Sequence, residues 1–165
     1  ILFPNTKYIL GTFEITPILL SHDVKCFGYV VHSTITDETL VNITDTGYIP
    51  DNSFEIISNA DFYIFESNHD TDMELNSPRP AYLIKRNMSD TGHLNNIDSS
   101  YYLSLIVGNK TKTILFAHLS RDCNREDLVL KAYKDVFLAQ KGSIPDIEVY
   151  CLHQDLPTFI QTKVK

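Results

Sequence analysis

Most of the groups in this chain that could do chemistry lie in five short polar segments, usually just past an apolar run. They are Ser21-His22-Asp23, Thr44-Asp45-Thr46-Gly47, Glu66-Ser67-Asn68-His69-Asp70, Gly92-His93-Leu94-Asn95-Asn96 and His118-Leu119-Ser120. An apolar run forms a rigid strand, and the polar residue beyond it falls on a loop at one edge of the sheet. Imidazoles and carboxylates gathered at one edge are the equipment of a hydrolytic metal site. His22 follows Ile18-Leu19-Leu20-Ser21 and precedes Asp23, an arrangement that suits a metal ligand with a carboxylate behind it, or a turn cap. Asp45, before Thr46-Gly47, reads either as a bridging carboxylate or as turn chemistry. Glu66 emerges from Tyr63-Ile64-Phe65. A carboxylate in that position needs a partner, and His69 or His93 could supply one. Otherwise Glu66 pins its own loop through Ser67 and Asn68. His118, directly after Ile114-Leu115-Phe116-Ala117, is the best single ligand candidate. His32 and His153 lack such context and read as surface or packing residues.

These residues need a scaffold, and the pattern supplies one. Residues 13–21 read as a strand, with Pro17 marking an edge or a bulge. Residues 27–33 and 39–44 read as a hairpin about Thr36-Asp37-Glu38. A short helix over 53–59, capped by Asn52 or Ser53, leads into a strand at 61–66 buried on both faces. Prolines open a short helix over 78–88. Asn95 or Asn96 caps a helix reaching about Val107, with Ile97, Tyr101 and Leu105 on one face. A buried strand at 111–117 follows, then the clearest helix, from Asn124, with Leu128, Ala132, Val136 and Ala139 at helical spacing. A last strand spans 147–152. Strands first, then helices alternating with strands, predict an α/β architecture on a mixed sheet.

Composition narrows the function classes. The chain has 165 residues, 43 % apolar and 21 % charged, enough for one domain with a core or a large piece of a bigger one. Its formal charge is −7 with no Lys/Arg-rich block, which counts against extensive duplex binding; Lys85-Arg86 and 121–125 are modest basic clusters. Cys26, Cys123 and Cys151 are widely spaced, odd in number and without a CxxC, the pattern of reduced thiols in a cytoplasmic protein. No apolar run approaches transmembrane length and no signal peptide opens the chain. The absence of GxSxG, P-loop and GxGxxG patterns removes serine hydrolase, NTPase and dinucleotide readings.

In their order, the five segments resemble the metallo-β-lactamase fold, and more narrowly the YycJ/WalJ-like hydrolases related to ribonucleases Z and J, from about Phe13 to the helix after Asn124. The resemblance implies an αββα sandwich with mixed sheets, of which residues 1–165 form the C-terminal portion of a single domain. It also implies two divalent metal ions (zinc, manganese or iron), with His22 a ligand to one, Asp45 the bridge, and His118 a ligand to the other. His93 takes the place of the proton donor or phosphate contact, and Glu66 that of the acid orienting it. His69, Asp23 and Asn95 fall near the site in supporting or substrate-side positions; relatives often carry Ser at the place of Asn95. The implied substrate is a phosphodiester in DNA or RNA. The family's principal signature, His-x-His-x-Asp-His, is absent from these residues, and the chain starts without methionine. The expectation is therefore a fragment whose N-terminal half supplies the remaining ligands and the partner sheet. Two other readings stand beside it: a small-molecule hydrolase acting on a thioester, lactam or cyclic phosphodiester, and a metal-free interaction module.

Overall fold

The computed structural model describes residues 2–158. Four strands, β1 (Tyr8–Leu10), β2 (Phe13–Leu20), β3 (Cys26–Ser33) and β4 (Glu38–Ile43), form an antiparallel meander. β5 (Phe62–Glu66), β6 (Thr113–Ala117) and β7 (Glu148–Cys151) then add in parallel, giving one mixed seven-stranded sheet whose strand order follows the chain. Short turns permit the antiparallel half. The parallel half needs crossovers, and these carry the helices α1 (Phe54–Ile57), α2 (Thr71–Leu75), α3 (Ala81–Asn87), α4 (Asn96–Ile106) and α5 (Glu126–Lys141). The β1 ladder ends at Ile15, and beyond it Asn5 N donates to the Pro17 carbonyl at 2.8 Å, a contact that needs no N–H from Pro17.

β2, β4, β5 and β6 all run in one direction, so their C-terminal ends share one edge of the sheet. One face of the sheet is the core: Ile18, Val30, Val41, Tyr63, Phe65 and Phe116 pack with Leu103, Val129 and Phe137 from the helices. On the opposite face Pro17, Tyr29, Asn42, Ile64, Leu115 and Tyr150 lie in register across six strands. Tyr29 and Ile64 there are only partly buried, and Leu19 and Tyr150 are 46 % and 39 % exposed.

Two helices turn faces to the core that periodicity does not pick. In α4 the apolar set Ile97, Tyr101 and Leu105 is exposed, and Asn96, Ser99, Ser100, Leu103, Ser104 and Ile106 are buried. Small hydroxyls allow a close approach: Ser99 Oγ donates to the Glu66 carbonyl, and Ser100 Oγ to its own helix at Asn96 O. In α5 the core residues are Val129, Tyr133 and Phe137. The expected Leu128, Ala132 and Val136 are half-buried along a groove that also meets Asp70 and Ile97. β1 and α2 were not anticipated; α2 is opened by the Asp70 carboxylate accepting from Met73 N at 2.9 Å. α1 has no side-chain cap from Ser53, whereas Asn95 Oδ1 caps α4 at Ile97 N and Asp98 N. No helix among the described residues is long and apolar enough to cross a membrane.

Candidate active site

The site assembles where the parallel-running strands end. β2 ends two residues before His22, β4 two before Asp45, β5 at Glu66 itself, and β6 one residue before His118. The loop between α3 and α4 brings His93 over the same edge, with its backbone N–H donating to Asn87 O at 2.8 Å. Asp45 and His118 both take left-handed backbone angles, φ 63° and 60°. Asp and His adopt that conformation more readily than most residues, but it still costs about 1–3 kcal/mol, strain of the kind that collects at functional sites.

Glu66 is the hub. It is fully buried. Its Oε1 accepts from Asp45 N at 3.2 Å, His93 Nδ1 at 3.0 Å and His118 Nδ1 at 2.6 Å. Its Oε2 accepts from Thr46 N and Leu94 N, each at 3.1 Å. Burial alone would push this carboxyl up, but the His118 and His93 contacts and the Thr46 amide outweigh it and hold the pKa near about 2. In return, the Glu66 hydrogen bond raises the His118 pKa against desolvation. Glu66, Asp45, His93 and His118 offer ligand atoms within 4.8 Å of one another, a group of the composition that holds a divalent cation. With five donors on two oxygens, Glu66 has no lone pair left for a cation. It orients the histidine rings around it instead.

The two imidazoles that spend Nδ1–H on Glu66 turn Nε2 outward. For His118 that atom lies 3.5 Å from Asp45 Oδ1, an imidazole and a carboxylate converging on one point. His22 repeats the logic with a backbone partner: its Nδ1 lies 3.1 Å from the Gly92 carbonyl and its Nε2 3.3 Å from Asp23 Oδ1. Its ring stands 5.2 Å from that of His93, which stands 5.2 Å from that of His118. His22, His93, His118, Asp45 and Glu66 thus share one cluster, with His22 at its far side. Asp23 borders it, paired to Arg86.

His69 and Asn95 serve the frame. The His69 carbonyl accepts from Asn96 N at 3.0 Å. Its ring is 1 % exposed, its Nδ1 has no partner among the described residues, and burial pushes its pKa down. Glu66, which could have taken His69 or His93 as partner, takes His93 and His118. Asn68 steadies the His118 loop, Nδ2 donating to the His118 carbonyl at 2.8 Å. Sequence reasoning missed Arg86, whose Nη1 lies 3.4 Å from His93 Nε2. The Lys85-Arg86 pair was its only trace in the sequence.

No family model matches the chain. It is 33 % identical over 154 residues to the exodeoxyribonuclease YycJ of Bacillus anthracis, covering 92 % of this chain and 57 % of that protein. It is 35 % identical over 147 residues to the exodeoxyribonuclease WalJ of Streptococcus pneumoniae, covering 82 % of this chain and 54 % of the relative. The chain thus spans a little over half the length of these relatives. Among solved structures, the metallo-β-lactamase fold protein YhfI of Bacillus subtilis superposes with a TM-score of 0.64 at 21 % identity, over 91 % of this chain and 51 % of that one.

Proposed function

We propose, for a chain similar to the YycJ and WalJ exodeoxyribonucleases and built on the metallo-β-lactamase fold, that its protein is a metal-dependent phosphodiesterase acting on nucleic acid. The observation that carries this reading is Glu66, buried and shared between His93 and His118, with Asp45 facing His118 Nε2. Asp45, His118 and His22 fit a pair of divalent cations by donor type, and the Nδ1 of each histidine meets an oxygen that fixes the ring. When bound, such cations polarise a phosphoryl oxygen and activate water. Asp45, His22 and His118 would hold them. Once protonated at Nε2, His93, held through Nδ1 by Glu66, would give that proton to the leaving alkoxide. The remaining ligands come from residues outside this chain, which also cover the open sheet face, completing the domain whose C-terminal portion is residues 1–165.

In the full-length protein, Asp45→Ala is expected to abolish hydrolysis and to lower metal content from close to two per chain, read by elemental analysis. Turnover at the wild-type rate would overturn the site assignment. The net charge of −7 favours a second reading, a small phosphodiester substrate on the same site. Competition between DNA and a chromogenic phosphodiester decides between them: a nuclease substrate inhibits, an irrelevant polyanion does not.

A further inference from the structure

Arg86 lies in the last turn of α3, at the rim of the cluster. Its Nε and Nη2 donate to one oxygen of Asp23, at 2.9 and 2.7 Å. Its Nη1 donates to Asn87 Oδ1 at 3.2 Å and points at His93 Nε2, 3.4 Å away. Since a guanidinium has no acceptor and His93 Nδ1 gives its proton to Glu66, the Nε2 facing Arg86 is a lone pair. We propose that Arg86 is the substrate-phosphate contact of this site, held in waiting by Asp23.

Three observations support this, and the proposal rests on the phosphodiesterase reading. The first is charge. Bound cations would offset the carboxylates on the Asp45 and His118 side, but a phosphate oxygen on the His93 side meets Asp23 and is met by a fixed cation there only if Arg86 supplies it. Among the described residues Arg86 is the cation within reach of His93; Arg79 is committed to buried Glu74, Ser120 and Asp122. The planar fork of Arg also matches two phosphate oxygens at once.

The second is availability. Arg86 and Asp23 side chains are 37 % and 42 % exposed, so a solute can reach the guanidinium and take the place of Asp23. Moving to a phosphate also frees Nε2 of His93 from its cationic neighbour.

The third is anchoring. Asn87, which accepts from Arg86, is buried and donates to Glu74 Oε1 at 2.8 Å, and Glu74 is held in turn by Arg79. At Gly92 an added Cβ would lie 2.2 Å from the Arg86 carbonyl, so helix end and His93 loop are locked together. The guanidinium is flexible at its tip and fixed at its root.

The alternative is a strut: Arg86 and Asp23 tie α3 to the loop after β2 and touch nothing else. The test uses the full-length, metal-loaded protein with Arg86→Met, Arg86→Lys and Asp23→Asn. Inorganic phosphate is the probe, measured as a competitive inhibition constant against a chromogenic phosphodiester, with thermal melts alongside. A phosphate contact predicts that Arg86→Met weakens phosphate binding and raises KM by roughly ten- to a hundredfold. It predicts partial recovery in Arg86→Lys, and phosphate binding as tight or tighter in Asp23→Asn. A strut predicts that Arg86→Met and Asp23→Asn lower the melting temperature alike and leave the phosphate constant unmoved, which would overturn the proposal. If the wild type cleaves no phosphodiester, the functional reading fails on its own. Calorimetric phosphate binding by wild type and Arg86→Met then still decides the role of Arg86.

Discussion

Glu66 shows how one buried side chain can organise a site. Five donors converge on a carboxylate with no exposed surface, two of them imidazoles that must keep their Nε2 atoms aimed outward. Glu66→Gln keeps the shape but turns an amide NH2 toward some of those donors. Removing one partner of such a buried set costs about 3–5 kcal/mol. If the proposed metal site is right, loss of histidine orientation should cost a further ~10–100-fold in metal affinity. Chemical denaturation and metal titration of the full-length protein check the two effects separately. The pH dependence has a definite sign. A carboxyl held near about 2 contributes stability above its unfolded pKa of about 4.3 and loses it as pH falls through the folded value. His118, raised by the same contact, contributes below its unfolded pKa of about 6.5 and loses that contribution as pH rises through its folded value. The metal-free Glu66–His118 pair is therefore worth most between about pH 4 and 6.5. In denaturation curves across pH, the wild-type dome should flatten in Glu66→Gln; an unchanged dome would show that the pair carries no such energy.

At the scale of elements, the site depends on α3 and the His93 loop staying pressed together. Asn87 O receives the His93 N–H, and Gly92 has Arg86 O where a Cβ would stand. Gly92→Ala must push helix and loop apart, an overpacking cost of about 1–3 kcal/mol, and it moves the carbonyl that holds His22 Nδ1. A shift in melting temperature together with loss of hydrolysis is expected; a melt equal to wild type would show that the loop has room to spare. The sequence carried the strand-end residues legibly because an apolar run and the polar residue after it are local facts. That is why His22, Asp45, Glu66 and His118 could be assigned to one edge. It did not carry Arg86, whose meaning lies in Asp23, 63 residues away, and in a ring on another loop. Nor did it carry the buried face of α4, since serines chosen for close approach to Glu66 and α5 have no hydrophobic period to read.

For the molecule as a whole, the sheet has one face covered by helices and one left half-open, and that asymmetry makes a prediction. Tyr29, Ile64 and Tyr150, with Asn42 and the buried Leu115 in register among them, form a row from β3 to the edge strand β7, and Val31, Leu40 and Phe62 form the next. On the proposed reading, in which residues outside this chain complete the domain, an apolar area of this breadth is a surface that those residues would bury. Ile64→Asp in the full-length protein then places an unpaired carboxylate in a closed interface and should cost about 3 kcal/mol or more. Ile35 supplies the internal control: it is 75 % exposed on the β3–β4 turn, and Ile35→Asp should stay within about 0.5 kcal/mol of wild type. Both are single Ile→Asp changes with the same change of charge, so the difference between them reports burial. Equal denaturation midpoints for the two variants would mean that water reaches Ile64 in the complete protein. The sheet would then have no second layer at this point, and any further ligands of the proposed metal site would have to arrive from somewhere other than a partner sheet.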